Sequence, residues 1–172
     1  MAQTYTLSAT GVTLAANKAL LGVFNGSGSG RIVRVYRVWV LNNQVTAVTG
    51  VVGVLELRRI TTGSGGTAIT PVQHDSTNES FPAQIVASSN MSVTTNDLII
   101  RSFWSSDEPA AGTISIDEIQ TVPAMNLIFD VAYSGTNVEP IVLREGYGLA
   151  LINITSTVGI ADVFFEVTMQ ST

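Results

Sequence analysis

The only imidazole in the sequence is His74, followed directly by Asp75 and Ser76. These are the side-chain types of a nucleophilic triad. Adjacency does not make a triad, because hydroxyl, base and orienting carboxylate must meet in space. No G-x-S-x-G elbow is present to expose a serine on a strained turn. The acidic residues are scattered from Glu56 to Glu166, and no two are singled out as the facing carboxylates of a glycosidase. Asp75-Ser-Thr-Asn-Glu79 offers oxygen ligands at short spacing but lacks the ordered D-x-D-x-D-G of a calcium loop. With no cysteine, thiolate catalysis, disulfides and Cys/His zinc sites are excluded. The glycine-rich stretches 26–30 and 63–66 precede no Lys-Ser/Thr and open no helix, so they read as strand connectors rather than phosphate cradles. The sequence therefore predicts no catalytic residue, no metal site and no cofactor. His74 and Asp75 read as polar residues of a self-bonded turn.

What remains is contact chemistry. Six of the eight basic residues fall in three expected strands: Arg31, Arg34 and Arg37, then Arg58 and Arg59, then Arg101. Strict alternation puts Arg31 and Arg37 on one strand face and Arg34 on the other. Such arginines can pair bidentately with carboxylates of a neighbouring subunit, or within the chain with Glu56, Asp117 or Glu118. The longest irregular stretch, 71–82, carries His74, Asp75, Asn78 and Glu79. Loops of that length in compact domains are often functional, so these four join Arg31, Arg34 and Arg37 as candidate partner contacts. The N-terminal residues 1–20, from Ala2 onward, show weak periodicity and are expected to form an arm that reaches a neighbour, with Tyr5 and Leu7 in contact.

Charge narrows the partner class. The net charge is −5, with 8 basic and 13 acidic residues, which argues against a nucleic-acid partner. Charged residues make up only 12% of the chain, about half the usual quarter, so the polar surface must be largely Thr, Ser, Asn and Gln. That skin suits a protein covered by neighbours in an assembly. No run of about 18 apolar residues exists to span a membrane. The start, Met-Ala-Gln-Thr-Tyr-Thr, lacks the basic and apolar regions of a secretory signal. The N-x-S/T triplets at Asn25, Asn78, Asn90 and Asn153 carry no weight without one.

The elements that must position these residues are strands. Val163, Phe165, Val167 and Met169 alternate with Phe164, Glu166, Thr168 and Gln170, the period of a half-buried strand. Leu127, Phe129, Val131 and Tyr133 alternate in the same way with Asn126, Ile128, Asp130 and Ala132. Further strands are expected at 4–8, 19–25, 32–42, 51–61, 84–87, 98–104, 113–119, 141–143 and 147–155. A helical turn near 14–20 competes with a short strand or loop there. Residues 144–148 (Arg-Glu-Gly-Tyr-Gly) read as a tight hairpin turn. Roughly ten strands are too many for one open sheet with a face in water, so two packed antiparallel sheets follow. The expectation is a single all-β sandwich domain over 1–172, with little or no helix. Trp39 and Trp104 fall in strands, where core or interface packing is expected.

One resemblance rests on particular segments. An Arg-bearing apolar strand (31–42) precedes Val54-Leu-Glu-Leu-Arg-Arg-Ile-Thr-Thr-Gly-Ser-Gly-Gly66, then Ile69-Thr-Pro-Val-Gln-His-Asp-Ser76. Much later comes Ile141-Val-Leu-Arg-Glu-Gly-Tyr-Gly-Leu-Ala150. From about residue 30 to 170 this order of segments resembles the capsid decoration, or cement, proteins of tailed bacteriophages. The resemblance implies a jelly-roll-like sandwich, a homo-oligomer with a trimer foremost, the major capsid protein as partner, and no catalytic residues. It further implies a structural virion protein on the capsid surface, assembled in the host cytoplasm. The alternative is a carbohydrate- or receptor-binding sandwich of a phage fibre or tail. That reading needs clustered exposed aromatics in a chain with only 7% aromatic residues.

Overall fold

Strands dominate because β-branched and aromatic residues alternate with polar ones between Gly, Asn and Pro turns. The computed structural model describes residues 2–43, 52–105, 125–132, 138–155 and 158–172. Among them are twelve strands and no helix. In chain order they are β1 (Gln3–Thr13), β2 (Lys18–Asn25), β3 (Arg31–Asn42), β4 (Val52–Ser64), β5 (Thr67–Ala68), β6 (Val72–Gln73), β7 (Ile85–Ser89), β8 (Ser92–Ser105), β9 (Met125–Asp130), β10 (Ile141–Leu143), β11 (Tyr147–Asn153) and β12 (Ile160–Ser171). They form two six-stranded sheets. The first runs β10-β3-β12-β1-β6 with β9 also on β3, and the second runs β5-β7-β2-β11-β4-β8. Every pairing is antiparallel.

The principal strands reduce to β1-β12-β3-β9 facing β2-β11-β4-β8. The chain changes sheet from β1 to β2, β2 to β3, β3 to β4, β5 to β6, β6 to β7, β8 to β9, β10 to β11 and β11 to β12. That is the strand order of a jelly roll, a double Greek key in two sheets. The core lies between them. Tyr5, Leu7, Val33, Val35, Phe165 and Val167 from the first sheet meet Leu21, Val23, Leu55, Leu57, Leu149 and Leu151 from the second, all at 0% exposure. The second sheet also buries part of its outer face, where Ala19, Ile60, Met91, Ala150 and Ile152 cluster. Burial on both sides explains why Leu149-Ala-Leu-Ile152 is continuously apolar rather than alternating.

Several expectations are corrected. Residues 1–20 are not an arm: β1 lies between β12 and β6, and its apolar face, including Tyr5 and Leu7, fills the core. No helical turn forms near 14–20. The Lys18 amide bonds the Ala15 carbonyl across a turn, Asn17 adopts φ 59°, and β2 begins at once because Ala19, Leu20 and Leu21 are drawn into the sheet. Residues 144–148 make a tight turn, closed by the Tyr147 amide on the Arg144 carbonyl with Gly146 at φ 81°, but not a hairpin. Its two strands belong to different sheets. The strand expected at 113–119 lies outside the described residues.

Candidate interaction surfaces

The nine residues expected to contact a partner do not form one patch. Tyr5 and Leu7 are in the core, with the Tyr5 hydroxyl 2.6 Å from the Glu79 carbonyl oxygen and 2.7 Å from Gln3 Oε1. Burial, and then the neighbouring Glu79 carboxylate, push the Tyr5 phenol above its usual range. The 71–85 stretch folds back along the β1 edge. Arg31 pairs with Glu79 at 2.5 Å, the Asn78 side-chain amide donates to the Thr4 carbonyl at 3.3 Å, and His74 Nε2 lies 2.8 Å from Thr6 Oγ1. Asp75 caps its own turn, accepting from the Thr77 amide at 2.9 Å and the Thr77 hydroxyl at 2.7 Å, which holds its carboxyl below the usual range. His74 and Asp75 thus engage different partners, and the stretch acts as a strap across a sheet edge.

The arginines of β3 fall on faces that alternation misassigns. Arg34 registers with Thr168 and Arg37 with Glu166, two residues apart on β12, so both point outward. Arg31 registers with Ser171 and lies on the opposite face. The cause is a bulge at Tyr36, where one extra residue inverts every side chain beyond it. Arg37 is held by Asp130 at 2.8 Å and by Glu166 at 3.5 Å. On the second sheet Glu56, only 2% exposed, takes Arg58 at 2.5 Å and Arg101 from the other side. Arg58 and Arg101 thus pair within the chain with Glu56, one of the carboxylates expected, whereas Arg31 and Arg37 pair within it through Glu79, Asp130 and Glu166, and Asp117 and Glu118 lie outside the described residues. Burial pushes the Glu56 carboxyl up, but hydrogen bonds and charge from Arg58 and Arg101 outweigh it and hold the group below the usual range.

A surface missed in the sequence lies on the outer face of the first sheet. Phe164 of β12 is opposite Trp39 of β3, and Trp39 is opposite Leu127 of β9. Their side chains form a row across three strands, and Leu41 opposite Met125 extends it. Trp39 and Phe164 stack with ring centroids 5.1 Å apart and planes at 10°. Met125 is 53% exposed and Leu127 36%. Arg37 and Glu166 border the row on one side and Asp162, opposite Leu41, on another. Apolar residues in water on a sheet face, rimmed by polar ones, mark a contact surface. The signal was present at Phe164, an aromatic residue between Asp162 and Glu166 on the polar side of β12. On β9 a bulge at Ile128 turns Leu127 outward while Phe129 stays inward, so the single face expected for both does not exist. Trp104, by contrast, is buried in the core.

Among the described residues no group of three or more His, Cys, Asp or Glu side chains is placed to hold a metal ion. No family model, curated protein or solved structure matches this chain.

Proposed function

We propose that this chain is a structural virion protein that binds and stabilises a capsid shell, in the manner of a phage decoration protein. The observation that carries the reading is the apolar row Phe164–Trp39–Leu127, with Leu41 and Met125, on the outer face of the first sheet, where Trp39, Leu41 and Phe164 are half-buried and Met125 and Leu127 exposed. A rigid sheet presents these side chains in fixed register, so docking orders little new structure. The architecture recurs in viral capsid domains. The charge-poor surface reduces the desolvation cost of being covered. The partner is the major capsid protein. A trimer of this chain would dock three such rows, converting modest single contacts into avid binding. The carbohydrate reading is less favoured, because the Trp39 and Phe164 rings each cover one face of the other and so are not open platforms for a sugar.

The test is co-sedimentation of the purified chain with expanded phage shells, alongside its oligomeric mass in solution. Leu127→Ser and Trp39→Ala should each lower shell binding at least tenfold while leaving the circular dichroism of the fold unchanged. Full binding by both variants, or no binding of the parent chain to shells, would overturn the proposal.

A further inference from the structure

The two sheets do not close evenly along the edge where β8, β9 and β10 end them. At one half of the edge β9 meets β8, with the Asn126 side-chain amide bonded to the Ser102 hydroxyl at 3.0 Å and to the Phe103 carbonyl at 3.0 Å. At the other half the first sheet ends on the three-residue β10, and a cleft of about 450 Å³ opens between the sheets. Arg59, Asn96, Asp97, Val142, Arg144 and Tyr147 line it. Arg59 reaches the cleft from inside. It registers with the buried Leu149, so it sits on the core-facing side of β4, and its guanidinium donates to the Val142 carbonyl of the opposite sheet at 3.2 Å. Among the described residues neither Arg59 nor Arg144 has a carboxylate within ion-pair distance, whereas Arg31, Arg37, Arg58 and Arg101 all do.

A half-buried guanidinium with no counter-ion, in a chain whose net charge is −5, is out of place as a structural strut. A neutral side chain would bridge to one carbonyl at lower cost. Arg59 uses one arm of its fork on Val142, and the rest of its donors remain for an incoming acceptor. Arg144 stands on the turn beside it, and Tyr147, 49% exposed, offers an apolar ring with a hydroxyl.

We infer that this inter-sheet cleft is a recognition site for a carboxylate side chain on an extended segment of a partner protein, clamped between Arg59 and Arg144. The cleft's own charges select the anion. Two guanidinium groups against Asp97 leave one positive charge, which matches a single carboxylate rather than a doubly charged phosphate. The cleft's shape selects a peptide. One wall is β8, the end strand of the second sheet among the described residues, and the edge it turns away from β4 offers backbone donors and acceptors to an extended chain. The choice of a protein ligand rests on the protein-binding function proposed above; the anion site itself does not.

The experiment is an amide NMR titration of the whole chain with the capped peptide acetyl-Val-Glu-Val-Glu-Val-amide. Its glutamine counterpart, D-glucuronate and inorganic phosphate are the comparison probes. The acidic peptide should move the Asn96, Asp97 and Arg144–Tyr147 amides saturably, and the glutamine peptide should bind at least tenfold more weakly. Arg59→Gln should lose at least tenfold in affinity. Arg144→Gln, on an exposed turn, gives the same readout should Arg59→Gln fail to fold. Lys18→Gln, the same loss of charge elsewhere, should bind as the parent does. Undisturbed cleft amides, equal binding of the two peptides, unchanged binding by Arg144→Gln, or tighter binding of glucuronate or phosphate would each overturn the assignment. A failed shell assay would leave this titration readable, and a blank titration would leave the shell assay standing.

Discussion

Glu56→Gln should destabilise the protein by about 2 kcal/mol at neutral pH, and the loss should vanish in acid. The carboxylate is 2% exposed and accepts from Arg58 Nε at 2.5 Å and Arg101 Nε at 2.7 Å. Glutamine keeps the size and one acceptor oxygen but removes the charge. Hydrogen bonds to charged groups are worth about 1.5–3 kcal/mol, and with the guanidinium groups still charged but the acceptor neutral each bond falls from the upper to the lower part of that range, a loss of about 1 kcal/mol. Arg101 is 54% exposed and can turn to water, so its share is discounted, while Arg58 at 26% has less freedom. The sum is about 2 kcal/mol, or about 4–8 °C in Tm for a chain of this size. The sign with pH follows from the lowered carboxyl. A folded-state value below the unfolded one, about 4.3, adds stability above that pH and loses it as pH falls through the folded value. Urea unfolding of parent and variant from pH 7 to pH 2.5 reads the difference directly. It should be flat down to about pH 5 and shrink below about pH 4. A difference under about 0.5 kcal/mol at pH 7, or one that grows on acidification, would refute the reasoning.

Three other outcomes are expected. Gly148→Ala places a methyl group against the Val23 carbonyl oxygen and 2.8 Å from Ile60 Cγ1, in a central strand, and should cost about 3 kcal/mol or leave the protein insoluble, read by urea midpoint and soluble yield. The Glu145 carboxylate accepts from the Gly28 amide at 3.0 Å and the Gly30 amide at 2.7 Å, which holds it below the usual range. The Gly28 and Gly30 amide proton shifts should therefore titrate together with a midpoint below about 4.3, and a midpoint at or above it would disprove the contact. Tyr5→Phe removes the hydroxyl that ties the core to the Glu79 carbonyl and should cost about 1 kcal/mol in urea unfolding.

Periodicity was legible wherever a strand runs straight with one face buried. β12 shows this from Ala161 to Met169, where every second residue is buried. It failed where a single residue breaks the count. The bulges at Tyr36 and Ile128 leave no mark in composition, yet each inverts the faces on its two sides, which is why alternation sets Arg37 beside Arg31 and Leu127 beside Phe129. The first half of β8, Ser92-Val-Thr-Thr-Asn-Asp97, was also passed over. All but Val93 are polar, because among the described residues β8 is an edge strand pairing only with β4, and its side chains there are largely in water. The N-terminal strand misled for another reason. Its partner β12 lies at the far end of the chain, and no local pattern records so distant a pairing. The cleft was invisible as well, since Arg59 acquires its role only when two sheets bring Val142 and Arg144 to it.

That distant pairing has a bearing on synthesis. β12 fills the slot between β3 and β1, so Gln3 waits for Met169, which follows it far along the chain. β12 must leave the ribosome before β1 and β3 can be joined in the first sheet, and until then the greasy side of β1 stays in solvent. Production of this protein should depend on holdase chaperones and on growth temperature. A deletion of Ile160–Ser171 would pull out an inner slat of one sheet rather than trim its rim.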